Sequence, residues 1–211
     1  MRSKKAEPIL TTLVCLAPIP VGAALYSRLP ETVATHFGFG GQADGWSSRG
    51  FAVFGIPALL AGINLLVQFA LHTDPKKENM SGALRAIGVW TAPAVSVFVS
   101  AVILSNALGY TSPVELLAPL LTGALFILIG NYLPKTKQSY TVGIRLPWTL
   151  ASEENWNRTH RAAGFLWVGF GALMVVLALA HRGLGWPFAV LLAVPVLVPV
   201  VYSYVLYKKG I

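Results

Sequence analysis

Charged residues are scarce in this 211-residue chain, since Asp, Glu, Lys and Arg together make up only 11% of it. Ordinary soluble domains carry about 25% charged residues. Hydrophobic residues reach 55% here, and the mean hydropathy is +0.64. The single cysteine, Cys15, excludes an intramolecular disulfide and a thiolate metal cluster. The composition is that of a membrane protein.

Common catalytic motifs are also missing, as are charges in the middle of the hydrophobic runs. The sequence has no H-E-x-x-H, G-x-S-x-G or P-loop pattern. Proton relays and voltage sensors depend on charged residues within the membrane. The absence of such residues from the middle of the hydrophobic runs disfavours an ion-coupled pump. The milder polar residues Asn64 and Gln68 share one helix face, where interhelical hydrogen bonds are the ordinary role. We expect no enzyme activity, no metal and no cofactor.

Six hydrophobic runs are long enough to cross a bilayer. A helix rises about 1.5 Å per residue, so about 20 apolar residues span a hydrocarbon core of about 30 Å. The runs lack the alternation that a β-barrel requires. They cover Pro8 to Tyr26, Phe51 to Leu71, Ala86 to Leu108, Val114 to Leu133, Ala162 to Ala180 and Trp186 to Tyr207. The sequence predicts an all-α membrane protein, a six-helix bundle that forms a single domain over residues 1–211.

Basic residues are divided unequally between the two sides of this bundle. Only Arg28, Arg49 and Arg182 fall on one side, and the other 13 of the 16 Lys and Arg residues fall on the opposite side. Lys and Arg concentrate in cytoplasmic loops. We therefore predict that both termini and residues 131–161 are cytoplasmic, and that residues 27–50 are extracellular. Long and short loops alternate with opposite orientation in the two halves, which suggests two inverted three-helix repeats.

The predicted extracellular loop reads SRLPETVATHFGFGGQADGWSSR. Pro30 ends the approach from the first span, and Asp44–Gly45 is a pair typical of a tight turn. His36 and Asp44 are too few ligands for zinc, so we interpret them as a hydrogen-bonded pair. The aromatic residues Phe37, Phe39 and Trp46 suit either an interfacial anchor or a ligand-facing role.

The predicted cytoplasmic loop contains GNYLPKTKQSYTVGIRLPWTLASEENWNRTH, Gly130 to His160, which we call the signature segment. Its first part should be extended as far as Arg145, with a break at Gly143. A helix should then begin after Ser152, which can cap it, and continue into the fifth span. Trp156 shares a face of that helix with His160. Anchoring on anionic lipid is the simpler alternative role.

The signature segment resembles that of the SdpI family of bacterial membrane proteins. Its N-Y-L-P-K, V-G-I-R, P-W-T-L and E-x-W-x-x-T-H-R steps follow in the same order as in the family. The extracellular loop resembles a domain of unknown function commonly found at the N-terminus of those proteins. The resemblance implies an extracellular binding motif of Pro30, His36, Asp44 and Gly45. It implies a cytoplasmic motif of Tyr132, Pro134, Gly143, Arg145, Pro147, Trp148, Thr149, Glu154, Trp156, Thr159, His160 and Arg161.

The family resemblance also implies a function in the bacterial plasma membrane. Family members protect the producing cell from a secreted toxic peptide, and some are receptors that hold an ArsR-like repressor at the membrane once toxin is bound. The expected partners are membrane lipid, a toxic peptide outside and a repressor inside, without direct contact with nucleic acid.

Two other classes of function stay open. One is a small-solute transporter or channel built from inverted halves, with a polar passage lined by Asn64 and Gln68. The other is a membrane enzyme at the cytoplasmic face, which would use His160 with Glu153 or Glu154 as acid and base.

Overall fold

A computed structural model describes residues 6–181 and 184–211. The basic residues Arg2, Lys4, Lys5 and Arg182, which entered the charge count, lie outside the described residues. Within the described ranges, six helical segments are long and apolar enough to cross a membrane, which confirms the predicted all-α class. They are Ala6–Arg28, Phe51–Thr73, Gly82–Ala107, Val114–Lys135, Glu153–Ala180 and Pro187–Lys208.

The described helices and strands follow in one order along the chain. They are α1 (Ala6–Leu16), α2 (Pro18–Leu25), β1 (Thr32–Phe37), β2 (Ala43–Ser48), α3 (Ile56–Thr73), α4 (Gly82–Ala107), α5 (Val114–Tyr132), α6 (Pro147–Ala151), α7 (Glu153–His181) and α8 (Pro187–Lys208). Short 3-10 turns occupy Tyr26–Arg28, Lys77–Asn79 and Leu133–Lys135, and a π-helical turn at Phe51–Gly55 precedes α3.

The chain divides into two compact units. One holds the described residues up to Phe69 together with Gly88–Val114, and the other holds Ala70–Ile87 and Glu115–Ile211. The first unit contains most of the first three spans, and the second contains most of the last three. The single domain over residues 1–211 and the inverted relation of its halves stay predictions.

Proline breaks the first span between α1 and α2, because Pro18 has no N–H to continue the helix. Next to this break the Ser96 hydroxyl donates a hydrogen bond to the Cys15 carbonyl, at 2.7 Å. The Cys15 side chain is fully buried and packs with Ala61 and Ala92. The thiol therefore belongs to the core of the first unit.

The polar residues of α3 bind α1. The side-chain amides of Asn64 and Gln68 donate to the Thr11 hydroxyl oxygen, at 3.0 and 2.8 Å. That hydroxyl lies 3.0 Å from the Glu7 carbonyl, to which it donates. The predicted interhelical hydrogen bonds are confirmed. Asn64 is fully buried, so it does not line an open passage of the kind that the transporter alternative requires.

Helices α5 and α7 approach each other through two pairs of glycines. A Cβ atom on Gly123 would lie 2.7 Å from the Gly171 carbonyl oxygen, and one on Gly130 would lie 3.0 Å from that of Gly164. A Cβ on Gly164 would also lie 2.5 Å from the ring of Pro134. Any larger residue would separate the helices, so the glycines set the position of the signature segment against α7.

One main-chain hydrogen bond is missing inside helix α8. Pro199 has no N–H, so it cannot donate to the carbonyl of Pro195 four residues earlier. The indole N–H of Trp167 in α7 donates to that carbonyl, at 2.7 Å. An unsatisfied main-chain group in the hydrocarbon region costs several kcal/mol. Trp167 thus compensates for the proline and joins α7 to α8.

The loop that we predict to be extracellular contains an antiparallel hairpin, which the sequence did not lead us to expect. Strands β1 and β2 pair with Ala34 opposite Trp46. The turn lies between Gly38 and Gln42, whose main-chain N–H and carbonyl groups are 2.8 Å apart, and Gly41 adopts a φ of 76°. The prediction of a turn at Asp44–Gly45 is therefore wrong.

Gly45 lies inside β2, opposite His36. A Cβ atom at Gly45 would be 2.8 Å from the His36 Cβ. The glycine is needed there for close approach of the two strands, while the preceding glycine-rich stretch supplies the left-handed conformation that the turn requires.

Gly171→Ala is expected to lower thermal stability, because its methyl group would meet the Gly123 carbonyl at 2.6 Å. Overpacking of this kind costs about 1–3 kcal/mol, which tryptophan fluorescence in detergent would record as a lower melting temperature. Gly169→Ala is the matched control on the same helix, because nothing lies within 4 Å of its Cβ position. Equal melting temperatures for the two variants would contradict the glycine contact.

Candidate functional site

The signature segment folds around a stacked pair of side chains, Trp156 and His160, both buried in the second compact unit. Their ring centroids are 3.9 Å apart. The Trp156 indole N–H donates to the Thr136 carbonyl, at 2.6 Å. The Ser152 hydroxyl accepts the Asn155 N–H at 3.2 Å, so the predicted cap of α7 is confirmed.

Main-chain groups occupy both ring nitrogens of His160. Nδ1 lies 2.8 Å from the Trp156 carbonyl, and Nε2 lies 2.9 Å from the Ile144 nitrogen. A carbonyl only accepts and an amide N–H only donates, so Nδ1 carries the ring proton. Neither nitrogen is left for acid or base chemistry, and the Glu154 carboxylate binds Arg158 at 2.5 Å instead. The geometry does not support the enzyme alternative.

Gly143 lies where the extended chain crosses the aromatic pair. Its φ is 115°, and a Cβ atom there would lie 2.6 Å from His160 Nε2 and 2.7 Å from the Trp156 ring. A side chain at this position would meet both backbone strain and a clash. The predicted break in the extended chain is confirmed, and it lets the N–H of Ile144 reach His160.

Thr149 closes the P-W-T-L turn at the start of α6. Its hydroxyl oxygen accepts the Leu146 N–H at 2.9 Å, and its hydroxyl hydrogen is donated to the Ile144 carbonyl at 2.8 Å. Pro147 takes the first position of α6, where its missing N–H leaves no helical hydrogen bond unmade. The turn is therefore connected to Ile144, whose N–H binds His160.

Trp148 connects this turn to α8. Its indole N–H donates to the Ser203 hydroxyl at 2.9 Å, and its ring packs against Tyr204 and Tyr207 with centroid distances of 5.4 and 5.9 Å. The Asn155 side chain donates to the Ser203 carbonyl at 3.0 Å. The signature segment and α8 therefore form one packed structure.

Asp74, which the sequence analysis did not single out, holds the extended part of the segment. Its carboxylate accepts hydrogen bonds from the Ser139 hydroxyl at 2.6 Å and from the Thr141 and Lys76 N–H groups at 2.9 and 2.7 Å. Burial raises the pKa of Asp74, but these hydrogen bonds outweigh burial and hold the pKa below its ordinary value. The carboxylate therefore binds the chain in its ionised form.

Gln138 adds a second connection to the segment between α3 and α4. Its amide donates to the Thr149 carbonyl at 3.1 Å, and its side-chain oxygen accepts the Lys76 ammonium at 3.0 Å. Its main-chain carbonyl accepts the Asn79 side chain at 2.8 Å. This neighbouring segment, which the sequence analysis did not single out, is therefore part of the site.

The residues that the resemblance named in the cytoplasmic motif separate into two groups. Thr149, Trp156, Thr159 and His160 are buried, with Gly143 against the stacked pair. Pro134, Arg145, Pro147, Glu154 and Arg161 are exposed, while Tyr132 and Trp148 are half-buried. The first group shapes the segment, and the second group is accessible to a partner.

The motif that we predict to be extracellular is brought together only in part. His36 Nδ1 lies 2.5 Å from Asp44 Oδ1 across the hairpin, which confirms the predicted hydrogen bond. Gly45 lies beneath His36, whereas Pro30 lies before β1 and is exposed. Within residues 6–181 and 184–211, no group of three or more His, Cys, Asp or Glu side chains could hold a metal ion.

Side-chain contacts hold the hairpin against the rest of the first unit. Val33 is buried and packs with Ala52 and Ile103. The Arg49 guanidinium donates to the Leu29 carbonyl at 3.1 Å and lies over the Tyr26 ring, 4.7 Å from its centroid. These contacts fix the end of β2 to the chain that leaves the first span.

Comparison with known proteins finds relatives of both motifs. The SdpI/YfhL protein family matches residues 135–203, and the domain of unknown function DUF1648 matches residues 13–61. The chain is 26% identical over 206 residues to the Immunity protein SdpI of Bacillus subtilis (strain 168), covering 97% of each chain. No solved structure matches. The matched regions include the hairpin and most of the signature segment, which confirms the resemblance.

Gly143→Ala is expected to loosen the signature segment, because the new methyl group meets His160 and Trp156. A clash of about 1–3 kcal/mol corresponds to about 5- to 150-fold more of the opened form. Trypsin should then cleave faster after Lys137 and Arg145 in detergent, as mass spectrometry would record.

Gly109→Ala is the matched control for this variant. Gly109 also has a positive φ, of 86°, but nothing lies within 4 Å of its Cβ position. It therefore carries the backbone strain without the clash. Equal acceleration of cleavage at Lys137 in both variants would show that the contact with the aromatic pair is not important.

Asp74→Asn is expected to lower the melting temperature at pH 7. Because the pKa of Asp74 is lower in the folded chain, its stabilising contribution is fully present above the ordinary value of about 3.9. That contribution is lost as the pH falls through the lower folded value. The gap between wild type and variant should therefore shrink below about pH 4. Glu78→Gln, at an exposed site nearby, is the control, and a gap that widens on acidification would refute the assignment.

Proposed function

We propose that this chain, a multi-pass plasma-membrane protein of the SdpI family, is an immunity protein that makes its cell resistant to a secreted toxic peptide. The observation that carries the proposal is the similarity to the Bacillus subtilis immunity protein, which extends over 97% of both chains. A match confined to one motif would support only a shared domain. Here the similarity includes both the hairpin and the signature segment.

We assign recognition of the peptide to the hairpin. Its inner face is fixed by Val33, while the Trp46 ring is 62% exposed and the His36–Asp44 pair is at the surface. Aromatic side chains on a rigid support bind partners at a low cost in conformational entropy. A hairpin of this kind suits a peptide that carries both apolar and charged residues.

The finer proposal is that peptide binding outside leads to capture of an ArsR-like repressor at the signature segment. The Arg145 guanidinium is held in place by its hydrogen bond to the Tyr140 carbonyl, at 2.7 Å. Trp148 and Tyr207 provide an adjacent aromatic surface. Arginine and aromatic residues are enriched where proteins bind each other most strongly. The buried Trp156–His160 pair would position this surface rather than contact the repressor.

Expression in a bacterium that is sensitive to the cognate peptide is expected to restore growth at peptide concentrations that kill the host. Trp46→Ala and His36→Ala should each lower the protective effect by about tenfold, the change that the loss of one well-made contact produces. Trp186→Ala removes another ring that is 75% exposed, and it should leave protection unchanged. Immunoblots of membranes check that all variants accumulate equally.

The same strains separate the two parts of the proposal. Arg145→Ala should retain protection but leave a co-expressed ArsR-like repressor in the soluble fraction. A cysteine at Arg49 should react with a membrane-impermeant reagent on whole cells, and one at Lys137 should not. Absence of protection by the wild type, or external labelling at Lys137, would contradict the proposed function.

A further inference from the structure

A groove of about 700 Å³ lies between the start of α7 and helix α8, within the second compact unit. Four charged residues line one end of it: Glu153, Glu154, Arg158 and Arg161. The two negative charges equal the two positive ones in number, and the side-chain amide of Asn157 lies among these four residues. The buried core of the signature segment uses none of these side chains.

The other end of the groove is apolar and lies further along the span. Phe165, which is 75% exposed, follows Arg161 by four residues and so lies about 6 Å deeper along the helix. Ala162 and Tyr202 complete this end. The groove therefore passes from charged to apolar in the direction of the hydrocarbon core, which is the order of headgroup and acyl chain in a phospholipid.

The charges favour one class of headgroup. Glu154 and Arg158 bind each other at 2.5 Å, whereas Glu153 and Arg161 form no ion pair with another part of the chain that the structure describes. A guanidinium binds phosphate with two parallel hydrogen bonds. A carboxylate accepts hydrogen bonds from a primary ammonium group but finds no N–H on choline, and it repels the extra negative charge of an anionic lipid.

We propose that this groove binds phosphatidylethanolamine. The phosphate binds Arg161, the primary ammonium group binds Glu153 and the Asn157 side-chain oxygen, and an acyl chain lies against Phe165 and Tyr202. The site is independent of the immunity function, because it uses a different face of α7 from the Trp156–His160 pair.

Native mass spectrometry of the purified full-length protein tests this site. The protein is incubated with equal amounts of dioleoyl phosphatidylethanolamine, phosphatidylcholine and phosphatidylglycerol. The ethanolamine lipid is expected to be retained about tenfold more than the other two, the ratio that one charge-assisted hydrogen bond produces. Glu153→Gln should bring its retention down to the level of the choline lipid. Arg161→Gln should lower the retention of all three lipids, because each of them carries the phosphate.

Matched variants outside the groove control for the change in charge. Glu78→Gln and Lys77→Gln alter exposed residues elsewhere and should keep both the retention and the preference. Arg161→Lys should keep part of the retention. Melting temperatures identify any variant that has lost its fold. Equal retention of the three lipids, a preference for the glycerol lipid, a preference that survives in folded Glu153→Gln, or unchanged retention in folded Arg161→Gln would overturn the proposal.

Discussion

The stacking of Trp156 on His160 is the interaction on which the shape of the signature segment depends. The polar atoms of the pair reach the Thr136 carbonyl on one side and the Ile144 N–H on the other. A buried polar group without a partner costs about 1–3 kcal/mol. The chain that passes over the aromatic pair at Gly143 supplies hydrogen-bond partners for the buried polar atoms of the pair. The pair in turn holds that chain in place.

The features that could be predicted from the sequence are local ones. The spans follow from the length of the apolar runs, and the start of α7 follows from Ser152 and the acidic residues after it. The hairpin depends instead on the packing of Val33 against residues of later helices, which no local pattern reveals. Asp74 was missed because its partners Ser139 and Thr141 are more than 60 positions away in sequence.

The division between buried and exposed residues separates two roles within the motif that the family resemblance names. Trp156 and His160 are named by the family resemblance, yet they face the interior and act through the shape of the segment. Arg145 is exposed and Trp148 is half-buried, whereas Arg161 lines the groove between α7 and α8. One short sequence thus combines a structural core with two separate surfaces.

Solid-state ¹⁵N NMR of the His160 ring in lipid bilayers would test the central interaction most directly. Replacing His36, His72 and His181 leaves a single histidine for assignment. The hydrogen bonds to the Trp156 carbonyl and the Ile144 N–H predict a protonated Nδ1 and an unprotonated Nε2. A ring protonated at Nε2, or one that exchanges freely between both forms, would contradict the structure of the signature segment.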